Sequence, residues 1–187
     1  VVSGDRLKAF LLLITSCDGS LATTAKFIST RVVCWNTQAV ALGEDGQEVK
    51  VRHNTEFNAE SVKGRMGLLG SNAFDSFMDR MRALSKVKMT NGDAELVVAS
   101  LLPAPANPKT KIQETKGFQA IMGLFNGNGI GANMAGVQGT AWGLLNAVTE
   151  YTDHRIRAHS AENRLNSAWF GVGANLKAAA EDALLAL

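Results

Sequence analysis

The side chains best suited to chemistry here are Glu150, Asp153 and His154, close together at the end of a long apolar stretch. A carboxylate and an imidazole four positions apart share one face of a helix. There they could hold a metal or share a proton. The set is short of ligands, because His53 and His159 stand alone and neither cysteine is near in sequence. Asp153 also precedes Arg157 by four, the spacing of an ordinary helical ion pair. Structural polar contacts are therefore the expected role, and no metal or catalytic residue is assigned. No Gly-x-Ser-x-Gly elbow occurs, and Cys34 lies in an apolar run that should leave its thiol inert.

A second candidate is the run N-G-N-G-I-G within the segment 126–139, which carries glycines at 127, 129, 131, 136 and 139. Free N–H groups ahead of a helix attract anions. The run lacks the Lys-Ser/Thr of a phosphate-binding loop, and no strand precedes it as a dinucleotide fold requires. A mobile or partner-ordered loop is the expectation. The basic residues say more. Lys26, Lys50 and Arg52 are expected on the outward faces of two strands, Arg31 at the end of a hairpin, and His53 just after Arg52. If those strands lie side by side, the five form one positive surface suited to a phosphodiester backbone. Trp35, Trp142 and Trp169 are expected in the core.

The elements that must position these residues can be read from spacing. Residues 9–17 and 21–29 read as two strands joined by an Asp18-Gly19-Ser20 turn. Val32, Trp35, Ala39 and Leu42 fall at helical spacing, which predicts a helix over 31–42 with Gly43 closing it. Glu44-Asp45-Gly46 reads as a turn, and 49–53 alternates like a third strand. Asn58 can cap a long helix to about residue 86, with a break near 67–71. Further helices are predicted over 91–101, 118–125, 140–159 and 174–187. All three prolines fall between 103 and 108, where no helix can continue.

The predicted class is α+β: a small antiparallel sheet, hairpin plus third strand, packed with helices, and a helical C-terminal half. Residues 1–102 form the sheet-plus-helix core, 103–138 a Pro/Gly-rich connection with a short helix, and 139–187 the C-terminal helices of the same domain. The 187 residues suit one domain. With 46% hydrophobic and 19% charged residues the core needs no disulfide or metal, and a net charge of +2 excludes a polyelectrolyte. Cys17 and Cys34 are read as buried thiols in a reducing compartment. No apolar run is long enough to span a membrane. The chain opens on Val1 rather than methionine, so upstream residues are expected.

Three runs then carry a resemblance: K-A-F-L-L-L-I-T-S-C-D-G-S (8–20), T-R-V-V-C-W-N-T-Q-A-V-A-L (30–42) and V-R-H-N (51–54). G-T-A-W-G-L-L-N-A-V-T-E-Y-T-D-H (139–154) and R-L-N-S-A-W-F-G (164–171) continue it in the same order. Together they resemble the phage/plasmid-like proteins grouped as domain of unknown function 932, over nearly the whole chain. The resemblance implies a bacterial host cytoplasm and no established activity or cofactor. It marks Asp18, Gly19, Arg31, Asn36, Thr37, Arg52, His53, Trp142, Asn146, Glu150, Asp153 and His154 as motif positions without assigning them roles.

A hairpin, helix and basic strand also look like the core of phage single-strand annealing proteins. The leading expectation is therefore a non-enzymatic, homo-oligomeric protein that binds or anneals single-stranded DNA in a recombination or replication module. A structural or host-interaction protein, such as an inhibitor or assembly factor, is the alternative. A metal-dependent nuclease using Glu150, Asp153 and His154 is the weaker one.

Overall fold

The computed structural model describes residues 1–18, 22–39, 48–56 and 58–187. Gly19, the Glu44-Asp45-Gly46 turn and the expected cap at Gly43 lie outside these residues. Strands β1 (Leu7–Ile14) and β2 (Thr23–Arg31) form the hairpin, in unbroken antiparallel register from Leu7↔Arg31 to Ile14↔Thr24. Strand β3 (Thr37–Ala39) pairs with one half of β2 (Ile28↔Ala39, Thr30↔Thr37). Strand β4 (Glu48–Val51) pairs with the other half (Thr23↔Val51, Lys26↔Glu48). β3 and β4 thus share one side of β2, and β1 flanks the other. An α+β architecture with a helical C-terminal half is what the chain adopts.

The helix expected over 31–42 does not form in its described part, residues 31–39; residues 40–42 lie outside the described residues. Arg31 closes β2 and a tight turn leads into β3, with Trp35 N–H donating to Arg31 O at 2.8 Å and Arg31 N–H donating to Asn36 O at 2.9 Å. Val32, Val33, Trp35, Asn36 and Thr37 are all poor helix formers. Sheet pairing with β2 outweighs the fortuitous three-and-four spacing of the apolar residues. Trp35 adopts φ +59, incompatible with a helix, and is 68% exposed instead of lying in the core.

Helix α1 (Ala59–Leu84) runs without the expected break, its first turn capped by Asn58, whose side chain accepts from Ser61 N–H at 2.9 Å. Helix α2 (Asn91–Leu101) opens on a reciprocal cap between Thr90 and Asp93. Helix α3 (Lys116–Gly123) follows the proline segment and unwinds through a wide turn over Leu124–Asn128. Helix α4 (Ala141–Glu150), capped by Thr140, is buried on every face. The helix expected to reach residue 159 stops there. A wide turn over Tyr151–Arg155 ends it, with Ile156 N–H donating to Tyr151 O at 2.9 Å. Helices α5 (Ala161–Phe170) and α6 (Val172–Leu185) complete the chain. α5 was not expected, because its A-E-N-R-L-N-S-A sequence carries no sustained apolar stripe.

One core joins the three stretches: Phe77 and Val98, then Phe118 and Ile121, then Leu144, Leu145 and Leu184 all belong to a single apolar cluster. α4 is its axis. Gly143 lets α4 press on the glycine-rich loop, since a Cβ there would lie 2.2 Å from Val137 O. Among the described residues no helix is long and apolar enough to cross a membrane.

Candidate functional site

The turn from β2 to β3 drives Arg31, Asn36 and Thr37 among the helices, where three polar clusters form. The first centres on Arg31, only 2% exposed. Its Nε donates to Asp5 Oδ2 at 2.5 Å, Nη1 to Ile130 O at 2.8 Å and Nη2 to Gly131 O at 3.1 Å. Trp142 Nε1–H donates to the same Asp5 oxygen at 3.2 Å. The second joins Asn36 to α4: Nδ2 donates to Asn146 O and to Thr149 Oγ1, both at 3.2 Å.

The third centres on Asp153, whose side chain is 6% exposed. Its Oδ2 accepts from Thr37 N–H at 2.6 Å and Thr37 Oγ1 at 2.9 Å. Its Oδ1 accepts from Lys177 Nζ at 2.8 Å, and the same ammonium donates to Thr37 O at 2.7 Å. Trp169 Nε1–H closes the cluster on Thr37 Oγ1 at 3.2 Å. Burial pushes the Lys177 pKa below the ordinary lysine value, while Asp153 pulls it back up. Both Asp153 oxygens are therefore occupied by protein donors.

Glu150 is occupied too. Ile130 N–H donates to Oε2 at 2.8 Å and Arg155 Nη2 to Oε1 at 2.9 Å. The expected Glu150–His154 pairing is replaced because the wide turn spaces partners five apart. Among the described residues no three His, Cys, Asp or Glu side chains gather as a metal-binding group. The glycine-rich loop points its carbonyls at Arg31 and an N–H at Glu150, so it is pinned from both sides.

The other face of the hairpin opens as a groove of about 580 Å³ between the sheet and α5. Phe10, Leu12 and Ile28 line its sheet side, with Trp35, Leu165 and Trp169 around them. His154 and Arg164 bring positive or protonatable groups to the same space. The Nε of Arg164 is buried and meets no hydrogen-bond acceptor among the described residues. A buried donor without an acceptor costs about 1–3 kcal/mol. Trp35, held in a left-handed conformation that a bulky residue rarely takes, stands at this groove with most of its surface in solvent. Such a space can take a flat apolar group against the indoles and an anion against the guanidinium.

The family model described as Domain of unknown function (DUF932) matches residues 1–169. The chain belongs to this family. No curated protein and no solved structure matches it. In this DUF932 chain the motif positions Arg31, Asn36, Thr37, Trp142, Asn146, Glu150 and Asp153 hold β2 and β3 to α4 and the glycine-rich loop through the contacts above. His154 stands apart at the groove, and Asp18 is exposed beyond the end of β1.

The basic residues expected on one surface are divided. Lys26 is 5% exposed, because α5 covers the face of β2 that was expected to meet solvent. Its Nζ donates to Trp169 O at 2.8 Å and lies 5.3 Å from the Phe170 ring centre. Arg31 is equally internal. Lys50, Arg52 and His53 are exposed at the end of β4. The five therefore do not share an exposed face. Asp5, Arg164 and Lys177 were missed by sequence reasoning. Lys177 had no local signal, since a lysine in an Ala/Leu helix ordinarily faces solvent, and only the fold sets it against Asp153.

The cysteines also divide. Cys17 is exposed, against expectation, since β1 ends before it, and Cys34 is buried. Burial pushes the Cys34 thiol up, more than Asn36 and Arg31 pull it down. An aromatic disulfide reagent should label Cys17 rapidly in the native protein and Cys34 only after denaturation. Equal rates for both thiols in buffer would contradict this.

Proposed function

We propose that this chain is a binding protein for single-stranded nucleic acid, which lies in the groove between the hairpin and α5. The observation that carries the reading is the meeting of exposed Trp35 with Trp169 and Arg164, whose Nε has no acceptor among the described residues, in one open space. Stacking on aromatic rings is tolerant of base identity, and a guanidinium supplies the phosphate contact. The site differs from the basic sheet face expected from sequence, but the ligand class is the same. Coating exposed strands in a phage or plasmid replication or recombination module is the role that fits such binding. Strained backbone at a ligand-facing residue is a recurrent feature of binding sites and costs about 1–3 kcal/mol.

A second reading is a protein-interaction module of the inhibitor or assembly type. It is favoured by Leu165, 49% exposed at the same groove. Fluorescence anisotropy of a labelled oligothymidylate separates the two. Binding at about 50 mM salt should weaken steeply as salt rises. Trp35→Ala should weaken it about tenfold, the loss of one stacked base. Arg164→Ala should flatten the salt slope by about 0.7, one phosphate on a single strand. No change in anisotropy at low salt would remove the nucleic-acid reading.

A further inference from the structure

We infer that β1 is a self-association edge through which two copies of this chain pair antiparallel, merging their sheets across a two-fold axis. β2 is the strand that pairs with β1 among the described residues. The β1–β2 register runs from Leu7 to Ile14 without a bulge. Natural edge strands are blunted by charge, proline or a bulge, because free N–H and C=O groups template pairing. β1, with the sequence LKAFLLLI, has no proline and a single charge, Lys8. It exposes Phe10 by 43%, Leu11 by 56% and Leu13 by 62%. Leucines on an unguarded eight-residue edge call for a partner.

The strand's own pattern selects a second copy. Laid antiparallel on itself with Leu12 facing Leu12, it sets Leu11 against Leu13 and Phe10 against Ile14. Each pair shares one sheet face, as antiparallel partners must. The basic Arg6–Lys8 end of each copy then approaches the Asp18 end of the other. Parallel pairing would stack Lys8 on Lys8 and would not close under a two-fold axis. The axis stands perpendicular to the merged sheet, so both grooves open on the same side. The dimer stands whether or not the groove takes nucleic acid, and its test needs no ligand.

Sedimentation equilibrium of the full chain from about 1 to 100 μM should show a monomer–dimer equilibrium, the range that micromolar affinity demands. Leu11→Lys and Leu13→Lys should each give monomers with an unchanged circular dichroism spectrum, since both side chains already face solvent in the single chain. Val172→Lys, at a 77% exposed apolar position on α6, should remain dimeric. In the wild type, the β1 amides should gain hydrogen-exchange protection as concentration rises. A monomer throughout that range, or dimers that survive both lysine substitutions, would overturn the proposal. So would concentration-independent exchange in β1.

Discussion

Asp153→Ala is expected to cost about 3–5 kcal/mol of stability, the scale for removing one partner of a buried ion pair. In a chain of this size that lowers the thermal midpoint by roughly 10 °C. The substitution leaves the Lys177 ammonium, its side chain 4% exposed, without a carboxylate. It also removes the acceptor for Thr37 N–H and Thr37 Oγ1. The Asp153 and Lys177 side chains are nearly buried, yet Thr37 and Asp153 also line the groove beside α5, so the measured loss reports how far water enters there. Chemical denaturation measures the loss. Adding Lys177→Met to Asp153→Ala should recover part of it, since the uncompensated charge is then gone. A loss below about 1 kcal/mol, the value of a solvated pair, would show that the cluster is open to water.

Arg31→Met should be comparably severe, about 3–5 kcal/mol on the same reasoning. It strands Asp5, 1% exposed, with the Trp142 indole as its remaining donor among the described residues. It also has a local signature that Asp153→Ala lacks. The Arg31 guanidinium donates to the carbonyls of Ile130 and Gly131 and so anchors the glycine-rich loop to the sheet. Limited proteolysis between residues 126 and 139 should therefore accelerate in Arg31→Met, well below its melting transition. Cleavage at the wild-type rate would mean that the remaining contacts, Ile130 N–H on Glu150 and Met89 N–H on Gly139 O among them, suffice to hold the loop.

These expectations put the weight of the motif on architecture. Asp153 accepts from Thr37 and Lys177, Asn36 donates to Asn146 O and Thr149 Oγ1, Asn146 donates to Trp142 O, and Glu150 accepts from Ile130 N–H and Arg155. What is left over for a ligand lies in the groove beside this cluster: Trp35, Arg164 and His154. Arg164 and His154 belong to α5 and the turn before it, which also covers Lys26. The helix that removes the expected basic face therefore builds the groove.

Much of the fold was legible locally. The hairpin followed from two apolar runs around a turn sequence. The caps at Asn58 and Thr140 followed from side chains able to accept orphan N–H groups. The end of α2 followed from the prolines beyond it. These features depend on a few adjacent residues and on chemistry that does not change with context. Harder were the segments where local preference is weak or spacing is ambiguous. Val32, Trp35 and Ala39 fit a helix by count, yet pairing with β2 made them turn and strand. α5 was hidden because neighbours, not its own stripe, decide which of its residues are buried.

The sequence by itself determined the α+β class, most helix starts and the family. Only the tertiary structure decided which charges are interior, that Asp153 meets Lys177 and Arg31 meets Asp5, and where an indole and a guanidinium are left facing solvent. The physical reason is reach. Capping and turn preferences act over three or four residues, whereas burial of a charge depends on which distant helix lies over the strand that carries it.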